Sequence, residues 1–178
     1  MKADRRTAPA GAIAILLDEM KLADQGWSID LIGTDLSSDQ VARAEEGIFS
    51  AYEIERGVTS DKLGHFHRHG SSFHVQDRLR RMVSFRVFNL LDSFGWLHQL
   101  DVVFCRNVLM FLDEQTKREI VAKIADVLAP GGALIVGKTE LLDKITEDFS
   151  LLPGATGIFE LDASRNESGR RRLSLVGS

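Results

Sequence analysis

Apolar and polar positions alternate along this chain in two different periods. From Gly11 to Ala23 the apolar residues Ile13, Leu16, Leu17 and Met20 recur at helical spacing, and Gly26 follows as a stop. Ser28 to Asp35 is a short apolar run with an acidic end, which predicts a strand. Ser37 then suits the N-cap of a helix over Ser38 to Glu46, with Gly47 behind it. Met82 to Phe88 alternates as a strand does, and Asp101 to Cys105 is the unbroken apolar run of a parallel strand covered on both faces. Asp113 is an N-cap candidate, with Thr116 three positions on. Ile120, Val121, Ile124, Val127 and Leu128 form one helical stripe behind it. Pro130-Gly131-Gly132 is expected to end that helix, with strands at Ala133 to Gly137 and Gly157 to Leu161.

Between these regular stretches, residues 47–80 are rich in Gly, Ser, His and charge. They are expected to form a small β-subdomain, with a short helix capped by Thr59 or Ser60 and a hairpin holding Phe73, Val75 and Leu79. Residues 1–10 and 163–178 lack apolar periodicity and are expected to be disordered, leaving 11–162 as one folded domain. Alternating strands and helices predict an α/β domain around a mostly parallel sheet.

Composition narrows the function classes. A net charge of −4 gives no electrostatic case for nucleic acid or an anionic membrane. No apolar run is long enough to insert in a bilayer. The first apolar stretch is followed by Asp18-Glu19-Met20 rather than small cleavage-site residues, so it is expected to be a helix and not a signal peptide. With one cysteine, Cys105, no intrachain disulfide can form, which fits a reducing cytoplasm.

Ligands in such a sheet bind beyond the carboxyl ends of the strands, so the residues just after each strand are the candidates. Asp35 ends the first strand; its carboxylate suits a ribose diol, or a cap on the next helix. Asn89 and Leu90 come after the next strand and suit an adenine edge and face, while a turn-forming Asn is the plainer alternative. Arg106 directly after the central strand suits a carboxylate in two-point geometry, on a cofactor or on a substrate; a surface arginine or a pairing with Asp35 or Asp92 is the alternative. Cys105 reads as a small buried residue and not as a nucleophile. The alternating His65, His67 and His69, with His74, lack partners for a metal site, so no metal is expected. No Walker or dinucleotide glycine fingerprint occurs.

Five segments in order carry a family resemblance: Gly33-Thr34-Asp35-Leu36-Ser37, Ala44 to Phe49, Val83 to Leu91, Phe104 to Phe111, and Pro130 to Leu134. Together they resemble the CheR-type chemotaxis protein-glutamate methyltransferases, over about residues 11–162. The resemblance implies a class I methyltransferase-like (Rossmann-like) fold with an inserted β-subdomain at 47–80. It implies S-adenosylmethionine as cofactor, S-adenosylhomocysteine as product and chemoreceptor glutamates as methyl acceptors. Asp35 then matches the ribose-binding acid, Asn89 and Leu90 the adenine contacts, and Cys105 and Arg106 a further cofactor-contacting pair. Arg106 also matches a catalytic role in steering the acceptor carboxylate.

The resemblance has gaps. The family's glycine-rich loop before its first helix is not matched by Arg5 to Ala12, and the strand ahead of that loop has no counterpart. Phe111 stands where the family has a tyrosine. Losing several loop hydrogen bonds weakens cofactor binding by roughly a hundredfold. An absent strand leaves an open sheet edge that a second copy is expected to fill in a homodimer. Three readings remain: a methyltransferase, a non-catalytic binding module acting through protein contacts, or a fragment of a longer enzyme.

Overall fold

The structure, a computed structural model, describes residues 8–140, 142, 145–162 and 173–177. The chain divides into two compact units, Met1–Phe88 and Asn89–Ser178.

In the first unit, helix α1 (Ala8–Glu19) leads to strand β1 (Ile29–Asp35) and helix α2 (Ser38–Glu46). The Ser37 hydroxyl caps α2 by accepting the Gln40 N–H. Gly47 closes the helix in the left-handed conformation, where a side chain would be strained. Strand β5 (Val83–Val87) runs parallel to β1, with Asp35 in register with Val87. The stretch between them holds a small three-stranded sheet. It consists of β2 (Ile48–Ser50), β4 (Ser72–Val75) and β3 (Phe66–His69), all antiparallel in the order β2-β4-β3. Two short helices, α3 (Ala51–Gly57) and α4 (Asp77–Arg80), flank it. Ion pairs tie α1 to this excursion: Asp18 with Arg78, and Glu19 with Lys62 and His65.

Two expectations for α1 are corrected. The helix spans Ala8–Glu19 rather than Gly11 to Ala23, and only a 3-10 turn covers Ala23–Gln25. Its buried side chains are Ala10, Ala14, Ile15 and Leu17, while Leu16 and Met20 face outward. The segment is apolar nearly all round, so periodicity could not choose the face; contact with the rest of the unit did.

In the second unit the central strand β6 (Leu100–Cys105) is followed by helix α5 (Glu114–Val127) and strand β7 (Leu128–Val136), which returns parallel to β6. Asp113 caps α5 through the Thr116 N–H, and Ile120, Val121 and Ile124 are buried, as the stripe predicted. Strands β8 (Phe149–Leu151) and β9 (Ile158–Leu161) add an antiparallel edge. Pro130-Gly131-Gly132 does not end the helix. It lies inside β7, at a register shift opposite Leu100 and Val102, and Gly131 takes a positive φ of 73°.

The tail also departs from expectation. Strand β10 (Leu173–Gly177) pairs in parallel with β6, Leu175 opposite Val102, so the flank of β6 away from β7 is occupied by this same chain rather than by a second copy. The sheet of this unit therefore runs β10-β6-β7-β9-β8. A segment without its own apolar period can still become a strand when a neighbour offers unpaired backbone groups. The rest of the expected disordered segments, 1–7, 163–172 and Ser178, lies outside the described residues. Among the described residues no helix is long and apolar enough to cross a membrane.

Candidate functional site

Each candidate residue stands at or just beyond the carboxyl end of a strand. In the first unit Asp35 closes β1 and is only 8% exposed. Its Oδ1 accepts the Ser37 N–H at 2.8 Å, and its carbonyl accepts the Phe88 N–H at 2.9 Å. Oδ2 remains as an acceptor. Burying a carboxylate is costly unless donors reach it, so this position is chemically suited to a ligand carrying hydroxyl groups. The strand backbone is close-packed here: a Cβ on Gly33 would lie 2.5 Å from the Phe85 ring.

In the second unit Asn89 and Leu90 follow directly. The Asn89 side-chain oxygen accepts the Leu91 N–H at 3.0 Å and its carbonyl accepts the Asp92 N–H at 2.9 Å. That is the turn-forming arrangement, and it leaves the side-chain NH2 as a donor. Lys123 of α5 secures the turn by donating to the carbonyls of Leu91 at 2.7 Å and Asp92 at 3.1 Å.

Cys105, Arg106 and Asn107 stand at the end of β6 and just beyond it. Cys105 is buried, and burial pushes its thiol up to about 12, with the charge of Glu140 adding to the effect. A thiol so held is protonated at neutral pH and cannot act as a nucleophile. Arg106 is exposed and forms no ion pair among the described residues. Its guanidinium is available for a planar anion. Asn107 adopts a positive φ of 59°, and Met110 and Phe111 beyond it are exposed, Phe111 by 80%.

One residue was missed in the sequence. Glu140, 6% exposed, accepts three backbone N–H groups: Asn107 at 2.7 Å, Met110 at 3.0 Å and Gly137 at 2.6 Å. An acidic residue four positions after the buried Val136 was the available signal, the same strand-end logic that found Arg106.

The histidines have local roles. His65 Nε2 lies 2.9 Å from Glu19, His74 Nε2 lies 3.2 Å from the Ser72 hydroxyl, and the His69 and His74 rings are in contact. Among the described residues no group of His, Cys, Asp or Glu is arranged to hold a metal. A cavity of about 530 Å³ in the first unit, lined in part by Ala14, Ala44, Phe49, Leu79 and Phe85, includes none of the candidate residues.

The family described as "CheR methyltransferase, SAM binding domain" matches residues 10–158. The chain is 31% identical over 152 residues to "Chemotaxis protein methyltransferase Cher2" of Pseudomonas putida, covering 83% of this chain and 55% of that protein. It is 31% identical to "Chemotaxis protein methyltransferase 1" of Pseudomonas aeruginosa, covering 83% and 56%. It is 30% identical to "Chemotaxis protein methyltransferase 1" of Vibrio cholerae, covering 83% and 54%. The chain thus spans about half the length of these curated relatives. A solved O-methyltransferase family protein from Burkholderia thailandensis aligns over 76% of this chain and 42% of its own, at 18% identity and a TM-score of 0.35. That likeness is too distant to carry weight.

Proposed function

Because this chain belongs to the CheR methyltransferase SAM-binding-domain family, we propose that it binds S-adenosylmethionine and serves methyl transfer to glutamate side chains of a chemoreceptor-type signalling protein. The observation that carries this reading is Asp35: a buried carboxylate at a strand end, with one oxygen used by the following helix and the other left as an acceptor.

Taken one by one, the candidate residues have the chemistry that the adenosine portion of the cofactor would need. Asp35 accepts from the ribose diol. The Asn89 NH2 donates to the adenine edge, its oxygen being used by the turn, and Leu90 covers the adenine face. Cys105 contributes a small neutral wall, because its thiol keeps its proton. S-adenosylmethionine, when bound, supplies a methyl group on a sulfonium that an ionised carboxylate takes without acid–base help. The chain's own task is therefore alignment and exclusion of water. Arg106, with Cys105, would contribute to holding the cofactor, and its guanidinium would also hold the acceptor carboxylate by two parallel hydrogen bonds, which fixes its direction of approach. Phe111 offers a ring without a hydroxyl, so it donates no hydrogen bond.

Calorimetric titration of the full chain with S-adenosylhomocysteine tests this reading. Saturable binding in the micromolar range supports it, as does base-labile methyl label on glutamates of a receptor fragment. No heat at millimolar ligand sinks it and leaves the family fold as a protein-binding module.

A further inference from the structure

We infer that Glu140 is a positioning residue for this site: its carboxylate ties the loop after β6 to the turn after β7 and so holds Arg106 in a single working conformation. The inference rests on the methyl-transfer reading above, since that reading is what gives Arg106 its task.

The geometry is specific. Oε2 of Glu140 accepts from Asn107 and Gly137, and Oε1 accepts from Met110. The Glu140 N–H returns a bond to the Gly137 carbonyl at 2.9 Å, so the turn and the carboxylate hold each other. Two of the three donors flank the segment Asn107 to Met110, and Arg106 is the residue next to it. Asn107 is held at a positive φ, a conformation a non-glycine residue keeps only when its surroundings enforce it. Glu140 is that enforcement. Gly137 leaves the room: a Cβ there would lie 2.6 Å from Asn107 Oδ1 and 2.7 Å from Glu140 Oε2. Buried and with both oxygens engaged by backbone groups, the carboxylate acts through the loop it shapes.

Glu140→Gln is the informative variant. An amide keeps the shape but retains one acceptor oxygen, so at least one of the three backbone donors loses its partner. Amide hydrogen exchange and S-adenosylhomocysteine titration on the full chain are the two readouts. Exchange at Asn107 or Met110 should quicken about tenfold or more, and affinity should fall about tenfold or more. Val121→Ala, which removes buried volume from α5, is the control: it should lower stability and leave affinity within about twofold. Unchanged affinity in Glu140→Gln, with the parent binding normally, overturns the inference alone. A parent that binds no ligand overturns the methyl-transfer reading, and the positioning role with it. If Glu140→Gln does not fold, the parent decides. Ligand should slow exchange at Asn107 and Met110, and no slowing overturns the inference.

Discussion

Asn107 and Glu140, 33 residues apart, meet through a 2.7 Å hydrogen bond from the Asn107 backbone N–H to the Glu140 carboxylate. The same carboxylate oxygen accepts the Gly137 N–H, so the ends of two parallel strands, β6 and β7, are pinned at one atom. This contact stabilises a left-handed residue whose conformation costs about 1 kcal/mol, in the loop that carries Arg106.

Gly137→Ala tests the tightness of that junction. The added methyl meets two oxygen atoms well inside contact distance, so either the Asn107 side chain or the Glu140 carboxylate must move. The expected loss is about 1–3 kcal/mol, read as a lower urea midpoint at constant slope. A loss below about 0.5 kcal/mol would show that the junction yields freely.

Cys105 makes stability depend on alkaline pH. Its thiol is raised from 9.0 to about 12 by burial, so the folded chain holds a proton that the unfolded chain releases. A raised value means the contribution is complete below pH 9 and is lost as pH climbs toward 12. Between pH 9 and 10.5 the parent should lose about 1.5 kcal/mol more than Cys105→Ala. Equal slopes for the two chains would contradict the burial argument.

Ser50 and Glu53 form a capping box on α3: each side chain accepts the other's backbone N–H, at 3.3 and 2.8 Å. The Ser50 hydroxyl and N–H hold the Glu53 carboxyl below its ordinary value. Ser50→Ala should cost about 1 kcal/mol at neutral pH. Because a lowered value means stability that is lost on acidification, the difference between parent and variant should narrow as pH falls through the carboxylate range. A difference that widens there would be inconsistent with the box.

Asp35→Ala should weaken S-adenosylhomocysteine binding by roughly 10- to 100-fold, the effect of hydrogen bonds to a charged acceptor. It should also cost about 1 kcal/mol of stability, since the Ser37 N–H loses its acceptor. Calorimetry that found parent-like affinity would remove Asp35 from the site.

Arg106→Ala should separate chemistry from folding. The side chain is exposed and without an ion pair among the described residues, so the stability change should stay within about 0.5 kcal/mol. Methyl transfer should fall at least about tenfold, the effect of one charge-assisted pair. Transfer at the parent rate would leave Arg106 as a surface residue.

The strands and helices that carry Asp35, Asn89 and Arg106 were legible in the sequence, because each announces itself within a few residues. β6 is an apolar run that stops at Cys105, and a charged residue comes at once after it. Ser37 and Asp113 cap their helices through partners three positions away, so their roles can be read from local spacing. The family match covers residues 10–158, which include all five of the ordered segments.

Other features depended on chain segments returning to each other. Which face of α1 is buried was decided by packing, since its apolar residues surround the axis. Pro130-Gly131-Gly132 reads locally as a helix stop, yet β7 begins before it because β6 supplies a partner from Leu128 onward. β10 carries only three apolar residues, Leu173, Leu175 and Val176, too few to announce a strand, and exists as one beside β6. Glu140 reads as one more surface acid until the turn after β7 brings it under the loop after β6. Periodicity and caps act over a single turn of chain and can be read from sequence. A carboxylate's partners across 33 residues are set only when the sheet aligns its strand ends.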